Sequence, residues 1–174
     1  GSNELEEYTQ EFDFLHATPP MSGPKYAKES GLTDGAGWVN VNKSTTQHVN
    51  YSNIFSLGDV SNLPTSKTAA AAAAESGITT DNVINYIQGK ELSSVYHGYT
   101  SCPLITGKGS LILAEFSGYT GETQESLPFD QSKESKISYE LTRYIIPEIY
   151  WKGQLKGLWR GPERFQKVTS LGLK

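Results

Sequence analysis

Gly58-Asp59-Val60-Ser61-Asn62-Leu63-Pro64-Thr65-Ser66-Lys67-Thr68-Ala69-Ala70 is the stretch on which the fold turns. A β-like run, Tyr51 to Leu57, leads into it, and an alanine-rich helix leads out. A strand that ends in Gly-Asp and turns into a helix N-terminus suits a nucleotide or a flavin. The Asp59 carboxylate can accept hydrogen bonds from ribityl or ribose hydroxyls. The helix end presents unpaired N–H groups and positive potential to a ligand oxygen that carries negative charge. An isolated Gly-Asp pair is more simply a turn in which Asp bonds its own backbone. Its place between a strand and a capped helix favours the ligand.

The helix is expected to start at Ser66 as N-cap and to run through Glu75 and Ile78 to about Ile87, with Gly89 as its stop. Gly77 weakens it by about 1 kcal/mol relative to Ala. Six successive alanines, Ala69 to Ala74, leave little bulk on any face. Either they let the helix lie close to a sheet or cofactor on several sides, or they are there only as strong helix formers.

Working outward, Glu11 to Ala17 reads as a strand ended by Thr18-Pro19-Pro20-Met21, since tandem Pro cannot continue a ladder. Residues 22–36 read as a loop or one short helix, and 38–42 and 53–57 as short strands. Residues 99–105 and 110–116 form a hairpin with Gly in its turn. Residues 117–135 read as loop. From Ile137 the apolar residues Ile137, Leu141, Ile145 and Ile149 recur at helical spacing, with Pro147 kinking or ending the first helix. A second helical stretch is expected at about 149–160.

Composition bounds the chemistry. The chain has 174 residues, 36% of them apolar, with a net charge of -4. That charge argues against nucleic acid as a partner. A single cysteine, Cys102, can form neither an internal disulfide nor a zinc site. It reads either as a small buried hydrophobe or, being beside Pro103 at a strand edge, as a reachable thiol. His16, His48 and His97 have no metal spacing. His48 and His97 are expected at the surface, and His16 reads either as a satisfied structural histidine or as one facing a cavity. No apolar run reaches the ~18 residues that span a bilayer. The initial Gly1-Ser2 reads as an expression scar. Residues 137–174 carry seven basic and three acidic residues, a net +4, against -8 for the rest. With Tyr144, Tyr150, Trp151, Trp159 and Phe165 beside them, these cations suit a membrane–water interface. A packed terminal helix pair with a solvated basic face is the other reading. There is no G-x-G-x-x-G, Walker A loop or G-x-S-x-G elbow.

In order along the chain come Leu15-His16-Ala17-Thr18-Pro19-Pro20-Met21, Gly37-Trp38-Val39, Asn53 to Ala70, Tyr99-Thr100-Ser101-Cys102-Pro103-Leu104-Ile105-Thr106-Gly107, Ile112 to Phe116 and Pro128-Phe129-Asp130-Gln131-Ser132-Lys133-Glu134. Together they resemble the C-terminal part of the sulfide:quinone oxidoreductase family, most closely its mitochondrial branch. The resemblance implies a peripheral membrane flavoenzyme of the mitochondrial inner membrane (the plasma membrane in a bacterium). Such an enzyme oxidises hydrogen sulfide and passes two electrons through FAD to ubiquinone. The sulfane sulfur goes to glutathione, sulfite or cyanide. The resemblance implies that Cys102 is the second of two redox cysteines and carries a persulfide. It also implies that Gly58, Asp59, Lys67, Thr68, Ala69 and Ala70 contact FAD, with no metal involved.

The implied fold is α/β, an incomplete piece of a two-dinucleotide-binding-domain flavoprotein with a β-hairpin and C-terminal amphipathic helices. Residues 3–135 would belong to the FAD-binding domain and 136–174 to a membrane- and quinone-associated tail. Lacking the phosphate loop and first cysteine, such a fragment is expected to be inactive alone, to hold little or no FAD and to self-associate through exposed edges. Two other readings remain open. One is a membrane-surface module without redox activity; the other is a different flavoprotein of the same fold, such as a type II NADH dehydrogenase.

Overall fold

The computed structural model describes residues 9–119 and 121–162. Expectations for residues 1–8 and 163–174, including Arg164, Phe165, Lys167 and Lys174, lie outside the described residues. Helix content and a small antiparallel sheet coexist, as an α/β chain requires.

The elements in chain order are α1 (Lys25–Glu29), α2 (Ala69–Ile87), β1 (Thr100–Gly107), β2 (Ser110–Ser117), β3 (Glu122–Gln124), α3 (Lys136–Glu140) and α4 (Ile146–Lys152). Short 3-10 turns occupy Gly58–Val60 and Gln154–Lys156. The sheet order is β1-β2-β3, all antiparallel.

Residues 31–63 form a layer joined by single bridges, Val39 to Thr33 and Ser61, Val41 to His48, and Gln47 to Phe55. The short strands expected at 38–42 and 53–57 are reduced to these bridges. Side-chain amides replace longer ladders: Asn62 accepts from the Val41 N–H at 3.0 Å and donates to Asn40 at 2.9 Å. His48 is buried here rather than at the surface. Its Nδ1 accepts from the Asn50 N–H, which leaves Nε2 to donate to the Leu32 carbonyl at 2.9 Å.

α2 lies against this layer. Val39, Val41, Leu63, Ala74, Tyr96 and Tyr99 form the core between them. The helix starts two residues later than Ser66. Thr68 is the cap, its Oγ1 accepting from the Ala71 N–H at 3.1 Å. The reason is local: Lys67 donates to the Ser61 carbonyl at 2.6 Å, which keeps the chain extended up to Thr68. Gly89, at φ +67°, ends the helix as expected, its N–H donating to the Tyr86 carbonyl. Asn82, fully buried, then pins the returning chain. It donates to the Thr45 and Ser94 carbonyls and accepts from the Ser94 N–H.

The hairpin forms as expected, with Cys102 opposite Ala114. The 117–135 stretch is not all loop, because it adds β3 to the β2 edge. The Pro128–Glu134 string clamps the hairpin. Gln131 donates to the Leu113 carbonyl and to the buried Glu115, which also receives Tyr99 Oη at 2.6 Å and the Ser126 N–H at 3.0 Å.

Two further expectations fail. Residues 11–17 form no strand: they run without a partner, are exposed throughout, and leave Phe14 at 87% exposure, with His16 in solvent rather than facing a cavity. Strand ladders need a second edge to satisfy them. The second terminal helical stretch is shortened: 149–152 are helical within α4, and Gly153 and Gly157 reduce residues 153–160 to one 3-10 turn. Upstream, the helical turns run on through Pro147 rather than ending there. A π-turn at Leu141–Ile145, in which the Ile146 N–H reaches the Leu141 carbonyl, absorbs the donor that Pro147 lacks.

Asn82→Ala strands three backbone groups. It should lower unfolding free energy by about 1–3 kcal/mol in urea titration, whereas Asn85→Ala, which loses only a solvent-exposed hydrogen bond to Ser93, should change it by about 0.5 kcal/mol or less.

Candidate functional site

The Gly58 turn depends on a backbone conformation that a side chain resists. Leu57 is extended, and Gly58 follows at φ +70°. The Gly58 carbonyl accepts from the Ser61 N–H at 3.1 Å, closing the 3-10 turn. Its N–H donates to Glu75 Oε2 at 2.6 Å. Asp59, held between these bonds, points its carboxylate to the exterior and is exposed.

Lys67 sits across the turn. Its Nζ is 4.3 Å from the centre of the Trp38 ring. Burial lowers its pKa, while Asp59, Glu75 and Asp34 pull it back up. Glu75 is 2% exposed, and burial raises its pKa against the opposing effects of the Gly58 N–H, Tyr96 and Lys67. Two ionisable groups of opposite sign, each pushed toward neutrality, thus flank the exposed Asp59.

Thr68 joins this turn to the hairpin. Its Oγ1 lies 3.0 Å from Thr100 Oγ1, at the start of β1. Ala69 and Ala70 follow as the first helical residues, where N–H groups have no intrahelical acceptor. Strand alternation puts Thr100, Cys102 and Leu104 on one face of β1, paired with Phe116, Ala114 and Ile112 of β2. The opposite face carries the buried Leu111, Leu113 and Glu115. Cys102 is therefore a free, exposed thiol on the open face. A cleft of about 500 Å³ opens at the start of the same strand, lined by Thr65, Ser66, Gly98, Thr100, Phe116 and Tyr119 among others.

Gly58, Asp59, Lys67, Thr68, Ala69 and Ala70 are thus gathered at one helix end, and the Thr68–Thr100 contact brings the Cys102 strand to them. The arrangement can do two things chemically. The helix end and Lys67 can stabilise negative charge on a ligand edge, and the thiol, as thiolate, can attack an electrophilic sulfur that reaches it from solvent. Sequence reasoning missed Glu75 and Thr100 as members of the site. A lone carboxylate inside an alanine run was the available signal for Glu75. Among the described residues no cluster of His, Cys, Asp and Glu could hold a metal ion.

No family model matches the chain. The mitochondrial sulfide:quinone oxidoreductase of Dictyostelium discoideum is 53% identical over 154 residues, covering 88% of this chain and 34% of the relative. That of Mus musculus is 48% identical over 162 residues, covering 93% of this chain and 36% of the relative. A chain in the cryo-EM structure of the Tetrahymena thermophila mitochondrial ATP synthase, an F1Fo composite tetramer, superposes with a TM-score of 0.59 at 30% identity. That match covers 88% of this chain and 33% of the other. The chain thus spans about a third of the length of the curated relatives it matches.

The Glu75 shift carries a sign. An acid whose pKa is raised by folding favours the fold when protonated. This contribution is fully present below the unfolded carboxyl pKa and is lost as pH rises through the higher folded value. Thermal unfolding should therefore show Glu75→Gln gaining stability over wild type at pH 8 relative to pH 4. A constant difference across that range would contradict the assignment.

Proposed function

We propose that this chain, whose sequence is of the sulfide:quinone oxidoreductase type, forms the flavin-ring side of a flavoenzyme that oxidises hydrogen sulfide and reduces ubiquinone. The observation that carries the reading is the 3.0 Å Thr68–Thr100 contact, because it ties the α2 N-terminus to the strand that bears the exposed Cys102. The finer fold reading is a piece of a two-dinucleotide-binding flavoprotein. Residues 3–135 belong to the FAD-binding domain and 136–174 to a membrane- and quinone-associated tail.

FAD, when bound, supplies the two-electron acceptor. Asp59 would accept from its ribityl hydroxyls, and Lys67 and the N–H groups of Ala69 and Ala70 would stabilise negative charge beside it. The residues fit such a group: the carboxylate is exposed, and the helix start has only alanine methyls to keep a ring away.

Cys102 does the sulfur chemistry. Hydrosulfide attacks the disulfide between Cys102 and a second cysteine outside this chain. The S–S bond breaks, Cys102 keeps the added sulfur as a persulfide, and the second cysteine leaves as a thiolate with the electron pair. Glutathione, sulfite or cyanide then takes the outer sulfur and restores the Cys102 thiolate; the two thiolates re-form the disulfide, releasing two electrons that FAD, when bound, would accept. The exposure of Cys102 supports this, since both small molecules must reach it.

The tail supports a peripheral place on the mitochondrial inner membrane. Ile137, Tyr144, Trp151, Leu155 and Leu158 are exposed, and Arg143, Lys152 and Lys156 lie among them. No helix among the described residues is long and apolar enough to cross a membrane.

In the flavin-loaded protein, Cys102→Ser should cut sulfide-dependent quinone reduction by about 10³-fold or more while flavin content stays the same. Wild-type rates in that variant would refute the sulfur role of Cys102. Burying one large apolar side chain is worth about 1.5–3 kcal/mol. Trp151→Ser should therefore weaken sedimentation with cardiolipin-containing vesicles by about tenfold or more, and unchanged binding would count against the tail as an anchor.

A further inference from the structure

We infer that Glu75 is a positioning residue for the flavin, acting through the Gly58–Asp59 turn. The inference rests on the proposed reading of that turn as the flavin-ring side of the site. Three observations carry it.

The first is the bond itself: Glu75 Oε2 accepts from the Gly58 N–H at 2.6 Å, although the two residues stand seventeen positions apart. The second is burial. Glu75 is 2% exposed, so water does not compete for the carboxylate. A carboxylate in that setting must be held by donors or lose its charge. The third is the conformation it holds. Gly58 is at φ +70°, and a Cβ there would meet nothing closer than the Ala72 methyl at 3.8 Å. The turn is therefore not fixed by crowding. Its shape is fixed by two hydrogen bonds on Gly58, one to Glu75 and one from Ser61. Asp59 inherits its direction from them.

The groups that face Glu75 come from several elements. Lys67 approaches from the segment before α2, Asp59 from the turn, Tyr96 from the segment after α2, and Tyr119 from beyond β2. Burial, and then the Glu75 charge, raise the pKa of both tyrosines, so each remains a neutral phenol at physiological pH. Lys67 is thus the positive charge of the set, and it is also anchored to the Ser61 carbonyl at 2.6 Å. Glu75 consequently holds the turn on one side while Lys67 closes it on the other.

The test compares Glu75→Ala, Glu75→Gln and Asp59→Ala in the flavin-loaded protein. The readout is the flavin dissociation constant, taken from flavin fluorescence on dilution. Glu75→Ala should loosen FAD by about tenfold or more. Glu75→Gln, which keeps an acceptor oxygen, should stay within about threefold of wild type. A purely structural role would lower the melting temperature and leave the dissociation constant alone. Unchanged FAD affinity in Glu75→Ala, alongside a loss in Asp59→Ala, would overturn the inference and spare the flavin reading. So would equal loosening in Ala and Gln. Unchanged affinity in Asp59→Ala would overturn the flavin reading and the inference together. Should Glu75→Ala not fold, hydrogen exchange at the Gly58 amide of the wild-type protein decides. Slow exchange relative to the Asp59 amide is expected, and exchange at the rate of an open amide would overturn the inference.

Discussion

The rest of the structure depends on how little space α2 takes up. Ala71, Ala73, Ala74 and Gly77 are buried on it and carry nothing larger than a methyl, while the larger buried Glu75, Thr79 and Asn82 are each hydrogen-bonded. The bridged layer of residues 31–63 and the chain that follows α2 can therefore approach its backbone closely. The C-terminal segment does the same. A Cβ built on Gly161 would lie 3.1 Å from the Ala74 methyl, and one on Gly77 would lie 3.0 Å from the Arg160 side chain. Arg160 then reaches Asp81 at 2.9 Å, and Gln154 donates to the Ala69 carbonyl at 3.2 Å. Larger residues at these positions would force the segments apart. The alanine run thus acts as a close-packing surface on several sides, the first of the two roles open to it.

That closeness has an electrostatic consequence at the α2 N-terminus. A helix end with open N–H groups, a half-buried lysine and a buried glutamate are brought within one turn of an exposed aspartate. Asp59 is exposed yet close enough to Lys67 to raise its pKa, so it offsets part of the positive potential at the helix end. Thr68 links this end to β1 with one hydroxyl that also caps the helix. Capping, charge and thiol placement are therefore not separable: one residue serves all three.

Much of this was legible in the chain, and the misses have physical causes. α2, its Gly89 stop and the hairpin turn at 107–109 were read within a residue or two of their bounds, because propensity and turn chemistry act locally. The cap was misplaced because Ser66 and Thr68 are chemically alike. Only the Lys67–Ser61 and Thr68–Thr100 contacts, both tertiary, choose between them. Residues 11–17 carry a strand pattern, yet a strand requires an edge, and no alternation of side chains reveals whether one is present. Gln131 and Glu115 belong to a buried polar clamp whose partners are far apart in sequence, so the Pro128–Glu134 string was recognisable as a motif before its work was visible. The Gly58–Ala70 turn and Cys102 were each read as candidates from sequence; their meeting through Thr100 was not.

The central claim is that the Cys102 face of β1 and the N-terminus of α2 enclose the same flavin ring. A cryo-EM or crystal structure of the flavin-loaded protein tests this most directly. The isoalloxazine should rest on the first turn of α2 with the Cys102 sulfur in van der Waals contact with the ring. A flavin bound elsewhere, or Cys102 turned to the opposite side of the hairpin, would contradict it.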